Sequence, residues 1–272
     1  MSFAEFVKDK SIALLASSRH LMGMKQREKL EAFDLIIRIN RGFPVAENMI
    51  EDISDRTDVL YHLLAVHIAS NENDFKQCIG KIQYIISVHH QGEPRVDAFK
   101  QINRGRIPFE CVPFSMIQQV KLQIRKAPNA GIMAITHLLS MPIKSLYLTG
   151  FGFYEHGYYT GYGGRNDAEA LKMKGGQVGH DQHSQKMYIK TAIALASIPV
   201  SMDAVMQEIL AKTIPTSQQL DQLKKIKTGE IVRLKALMTQ RHGIDTVKAG
   251  DTMLRIKSDA EGLIRKRRAV LA

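Results

Sequence analysis

The chain has 272 residues, 44% hydrophobic and 24% charged, enough to bury a sizeable core in one large domain or one domain with an appendage. No run approaches the roughly 20 apolar residues that span a bilayer, and two cysteines, Cys78 and Cys111, make no disulfide framework, which fits a reducing compartment. The net charge of +11 is concentrated late: from Val205 onward 14 Lys and Arg stand against 7 Asp and Glu. That balance suits an anionic partner (a nucleic acid, a membrane surface or a phosphorylated substrate) or simply a solvated helical face. The opening "MSFAEFVKDKSIALLASS" mixes acids with bases and lacks a small-residue cleavage site, so it reads as mature protein rather than a signal peptide.

Short apolar runs alternate with helical stretches over the first three quarters, the pattern of an α/β layer fold. The first strand is expected over Ser11–Ala16 and runs into "LLASSRHLMG". A strand followed by small hydroxyl residues can cradle phosphate or ribose through backbone N–H groups, although taken by itself this stretch reads better as an ordinary βα turn. The Gly-x-Gly-x-x-Gly of dinucleotide sites and the Gly-Lys-Ser/Thr of P-loops are both missing from it. A surface helix follows over Met24–Ala32, then a strand over Leu35–Asn40 within "FDLIIRINRGFP". Alternation puts Arg38 and Asn40 on one face at its carboxyl end. There they either meet a nucleotide or serve as a salt-bridging arginine and a turn-starting asparagine.

Further strands are expected over Val59–Leu64, Ile82–Val88 and, more weakly, Phe109–Val112, with a surface helix over Gln118–Lys126. Gly131–Ser140 reads as a buried helix because nearly every position is apolar, and Pro142 ends it. Asn129 in "PNAG" can cap this helix and leave N–H groups facing an anion, though capping alone is the commoner use. A strand over Ser145–Thr149 ends in "GFGFYEHGYY", where Phe151 and Phe153 can stack on a base or finish a core. His156, Tyr158 and Tyr159 share a Gly-rich loop, a cluster that core packing does not explain.

A helix over His183–Ala196 is preceded by His180 and Asp181, and histidine is the usual general base near neutral pH. His-x-x-His can also bind metal, but no third ligand follows at a recognisable spacing. The last strand is expected over Ile198–Met202. After Met206, Leu220, Leu223, Ile231, Leu234 and Met238 recur at helical spacing, as do Leu254, Ala260 and Ile264, with a stop at His242-Gly243. Two domains are therefore expected, a nucleotide-binding one over 1–206 and a basic helical tail over 207–272.

Taken in order, four of these pieces resemble the sialylmotifs of the eukaryotic-type sialyltransferases. "LLASSRHLMG", "FDLIIRINRGFP" and "DISDRTDVLYH" are similar to the long motif: a Gly-Asn-Ser or Ser-Ser turn, Arg-x-Asn, then Asp-Val-Gly-x-Lys-Thr. "PNAGIMAITHLLSMPIKSLYLTGFGFY" resembles the short motif, Pro-Ser-x-Gly through to Tyr-Gly-Phe. "HGYY" resembles His-Tyr-Tyr-Glu/Asp, and "HDQHSQKMYI" resembles the final motif, a His followed five residues later by Glu. The short-motif strand and "VGHDQHSQ" are also similar to the compact bacterial sialyltransferases that build host-like oligosaccharides. The resemblance runs from about Lys10 to Met202 through four islands.

The resemblance implies a Rossmann-like sheet of GT-A type and an enzyme that uses a cytidine monophosphate (CMP) sugar. Carried across residue by residue, Ser17, Ser18 and Asn40 would bind the nucleotide's phosphate and ribose. Asn129, Ala130 and Gly131 would contact ribose and cytosine, with Phe151 near the base. His156 matches the histidine that holds the departing phosphate and His180 the general base, with Arg38, Tyr158 and Tyr159 in support. The single phosphate of such a donor does not demand a metal clamp, so no metal or other cofactor is expected, and Asp-x-Asp is absent. The family's Glu is Gln185 here, a Gly interrupts His-Tyr-Tyr, and its terminal acid is Thr160. The cysteines that many animal members join fall near Ile12 and Ile143, and the amino-terminal anchor of the family is missing, which disfavours Golgi residence.

The expected function is inverting transfer of sialic acid from CMP to an oligosaccharide or glycolipid hydroxyl, in the cytoplasm, with the basic tail at an anionic membrane. Transfer of 3-deoxy-manno-octulosonic acid (Kdo), also a 2-keto acid carried on CMP, is the nearest alternative. A basic nucleic-acid-binding protein with a structural Rossmann-like domain is the alternative of another class. The positive charge, however, lies outside the motifs and has no aromatic interleaving, so no specific nucleic acid is expected.

Overall fold

Five strands are buried along their length and form the centre of a parallel sheet: β1 (Ser11–Leu15), β2 (Leu35–Ile39), β3 (Val59–His62), β4 (Tyr84–Ser87) and β6 (Ser145–Thr149). Continuous apolar runs of this kind are what a sheet covered on both faces requires. The edges are the short, half-buried β5 (Phe109–Cys111) and β7 (Val200–Met202). The computed structural model describes residues 1–64, 72–124, 126–162 and 181–213. Every pairing in the sheet is parallel, and the order is β5-β4-β3-β2-β1-β6-β7. The chain thus builds outward from β1 to β5, then returns to lay β6 against the other side of β1. This is a Rossmann-like sheet whose order reverses between β1 and β6, and crevices at such points hold ligands in open α/β folds.

Helices cover both faces. On one side α1 (Phe3–Val7), α6 (Phe114–Ile124), α7 (Ala130–Leu139), α8 (Gln182–Ala194) and α9 (Ala204–Lys212) pack on Ile12, Leu14, Ile37, Tyr61 and Leu148. On the other side α2 (Arg27–Glu31) and α3 (Ile50–Ile53) cover Ala13, Leu15 and Ile36, while α4 (Glu72–Lys76) and α5 (Pro94–Asn103) cover Leu60 and Ile85. α1 is set by a capping box in which Ser2 and Glu5 bond each other's backbone N–H groups. α5 opens with Pro94 in its first turn, a position where proline's missing N–H costs nothing.

All seven expected strands are present, shorter by a residue or two at their ends, apart from Ser145–Thr149, which is unchanged. α9 runs through residue 206 to Lys212 and buries Ile209 and Leu210 in the same core as the sheet. The two helices expected in the tail lie outside the described residues. Among the described residues no helix is long and apolar enough to cross a membrane.

Candidate functional site

A cavity of about 280 Å³ opens at the carboxyl ends of β1, β2 and β6, where the strand order reverses. Its walls come from four stretches of chain. Ala16, Ser17 and Ser18 follow β1, and Asn40 and Arg41 follow β2. Pro128 to Ile132 form the start of α7, and Gly150 to Tyr154 follow β6, joined by Gly157, Tyr158 and Tyr162. The start of α7 is capped by Asn129, whose Oδ1 accepts the Ile132 N–H at 2.9 Å. The N–H groups of Ala130 and Gly131, the first two of the helix, have no intrahelical acceptor, and they stand at the positive end of the helix dipole. Arg41 is the one cation among the described lining residues, which include no carboxylate. The wall therefore suits an anion beside a flat apolar group.

Backbone strain is gathered at this wall. Asn40 (φ 49°), Phe153 (φ 46°) and Tyr154 (φ 65°) all hold left-handed conformations that non-glycine residues rarely adopt. Such outliers collect at functional sites because the surrounding structure must over-determine them. Asn40 is held by its side chain, whose Oδ1 accepts the Leu63 N–H at 2.9 Å. Gly152 is required by contact: a Cβ there would lie 2.3 Å from Ser18 Oγ and 2.9 Å from Ser18 Cβ. The turn after β1 is tied to the loop after β6 by Ser18 N–H to Gly150 O (3.1 Å) and Tyr159 N–H to Ser17 O (3.1 Å).

No family model matches the sequence, and no curated protein sequence matches it. Solved structures do match. A variant of the sialyltransferase CstII, in complex with CMP, superposes with a TM-score of 0.54 at 12% identity, covering 79% of this chain and 98% of that one. The chain has the CstII fold. CstII from Campylobacter jejuni with CMP gives a TM-score of 0.50 at 12% identity over 80% of this chain and 98% of that one. A mammalian sialyltransferase gives 0.45 at 15% identity over 72% and 70%.

Within this CstII-like fold, Ser17, Ser18, Asn40, Asn129, Ala130, Gly131, Phe151 and Tyr158 all line one cavity. Arg38 and Tyr159 do not. Asn40 leaves the strand with a positive φ, so the alternation that would pair it with Arg38 stops at Ile39. Arg38 is 1% exposed and points into the protein, where it donates to Thr57 Oγ1 and to the carbonyls of Ile53 and Ser54 at 2.6–2.9 Å. Burial pulls its pKa down to about 10 against the opposing pull of Tyr159, Asp55 and Asp58, so it stays cationic at neutral pH. Tyr159 is buried beneath the loop with Tyr162, and burial drives its phenol well above the ordinary value. His156 is exposed beside the cavity rather than in its wall, with its ring 5.7 Å from that of His20. His180 lies outside the described residues.

Sequence reasoning missed Arg41 and Tyr162 in the wall, and His20 and Asp203 behind it. Asp203 caps α9 and lies 3.0 Å from His20 Nε2, whose Nδ1 is 2.9 Å from Ser18 Oγ. Nothing local announced this pair, since the two residues are 183 positions apart. Among the described residues no group of three His, Cys, Asp or Glu is placed to hold a metal ion.

Proposed function

We propose that this protein is an inverting glycosyltransferase of GT-A type that moves a 2-keto sugar acid, sialic acid, from CMP to a glycan hydroxyl. The observation that carries the reading is the convergence of Ser17, Ser18, Asn40, Asn129, Ala130, Gly131 and Phe151 on one cavity at the sheet's reversal point. These are the residues that the sialylmotif resemblance had singled out for the donor nucleotide. The fold neighbours include CstII solved with CMP.

The chemistry follows from what the wall offers. The N–H groups of Ala130 and Gly131 and the guanidinium of Arg41 face the nucleotide's negative charge. Phe151 and the tyrosine rings give cytosine an apolar seat. Loss of CMP from the tertiary anomeric carbon leaves an oxocarbenium-like centre, and the acceptor hydroxyl attacks it from the opposite face. His180 takes the acceptor's proton, while His156 and tyrosine hydroxyls stabilise the charge growing on the phosphate. A single phosphate needs no divalent clamp in this scheme.

The test is incubation with CMP-sialic acid and with CMP-Kdo, each with glycan acceptors, scored by CMP release. Acceptor-dependent release from CMP-sialic acid is expected. Release from CMP-Kdo alone would change the sugar and keep the reaction. With neither donor consumed across a broad acceptor panel, the transferase reading fails.

A further inference from the structure

We propose that Asp203 and His20 make the back wall of this cavity a proton-coupled anion site: His20 takes up a proton when a phosphate monoester binds and turns the Ser18 hydroxyl into a donor to it. The inference rests on the CMP reading above and deepens it.

Three side chains form a line. Ser18 Oγ, in the cavity wall, lies 2.9 Å from His20 Nδ1, and His20 Nε2 lies 3.0 Å from Asp203 Oδ2. The His20 and Asp203 side chains are 8% and 1% exposed. Asp203 cannot swing away, because its Oδ2 also accepts the Thr149 hydroxyl (3.0 Å) and the Gly150 N–H (2.8 Å), and its Oδ1 accepts the Met206 N–H (2.8 Å). Burial pushes its pKa upward, but the bonds from His20, Met206 and Gly150 outweigh burial and hold it below the ordinary carboxylate value. It is therefore an anion at neutral pH, and an anionic Oδ2 keeps a proton on His20 Nε2.

The second proton position is Nδ1, which faces Ser18 Oγ. In the neutral imidazole, Nδ1 accepts the Ser18 O–H, and the hydroxyl shows the cavity only its lone pairs, which repel a phosphate. In the imidazolium, Nδ1–H donates to Ser18 Oγ, and the O–H is released to donate into the cavity. A dianionic monoester selects the second state and draws one proton at most from solvent. In turnover the donor's phosphate passes from a diester monoanion to a monoester dianion, so the selected state strengthens as the sugar departs. His20 is thus a positioning residue that acts through Ser18. Among the described residues, Asp203 at the start of α9 and His156 in the loop after β6 are the titratable groups seen against it, and the charge of His156 in turn acts on Glu208 of α9.

Calorimetric titration of CMP at pH 7, in two buffers of different ionisation enthalpy, reads the proton directly. Wild type should take up protons with CMP and none with cytidine. His20→Gln should lose the uptake and bind CMP at least about tenfold more weakly, while its unchanged cytidine affinity reports an intact fold. CMP binding by wild type without proton uptake, or uptake that persists in His20→Gln, overturns the relay alone. No CMP binding at all removes the donor-site reading and the relay with it.

Discussion

Replacing His180 with alanine is expected to cut turnover by about 100-fold or more while CMP affinity changes by less than about twofold. His180 is bonded directly to Asp181, the cap of α8, whose Oδ1 accepts the Ser184 N–H at 3.1 Å. A little further along the helix, Lys186 pairs with Glu155 and sits 5.8 Å above the ring of Phe153, a cavity residue. The cap of α8 is five helical residues, roughly 7.5 Å, from Lys186. As the proposed general base, His180 would act on the acceptor rather than on the nucleotide, which is why kcat and CMP binding should separate. Turnover near that of wild type would remove His180 from the mechanism. A matched loss of CMP affinity would make it a donor-binding group instead.

Arg38→Ala is expected to do the opposite, costing stability and sparing the site. The guanidinium satisfies the Ile53 and Ser54 carbonyls at the end of α3 and the Thr57 hydroxyl, all in a region closed to water. Removing it leaves these acceptors without a donor and opens a void, at a cost of about 3 kcal/mol or more. For a domain of this size that lowers Tm by roughly 10 °C. Lysine should not rescue fully, because one ammonium cannot reproduce the fork that reaches Thr57 and the two carbonyls together. CMP affinity, measured well below the new Tm, should be nearly unchanged. An unshifted Tm with lost CMP binding would instead make the guanidinium a ligand contact.

Arg38 and the cavity wall show where sequence reasoning stopped and where it reached. The strands were legible because a sheet buried on both faces needs unbroken apolar runs, and "SIALL", "LIIRI" and "SLYLT" supply them. The wall of the cavity was legible because the motif pieces fall at the carboxyl ends of those strands. Alternation put Arg38 on the face of Asn40, as a nucleotide contact or as a salt-bridging residue; it holds only while the chain stays extended, and the φ of 49° at Asn40 breaks it. α5 escaped because Val96 and Phe99 are its only buried apolar positions, too few to mark a period, although Pro94 in the first turn was a usable start signal. α1 escaped although Ser2 and Glu5 spell a capping box. His20 and Asp203 each have an ordinary local reading, one as a turn residue and one as a helix cap. Their connection is made only by the pairing of β6 between β1 and β7.

The most direct measurement is CMP titration of the wild-type protein and of Gly152→Ala, with Tm recorded for both. A methyl group at position 152 collides with Ser18 Oγ and Cβ, so it must displace that wall residue. We expect CMP to bind the wild type and, well below the lowered Tm that this clash causes, to bind the variant at least about tenfold more weakly. No binding by the wild type, or equal affinity in the two proteins, would contradict a CMP site between the ends of β1, β2 and β6.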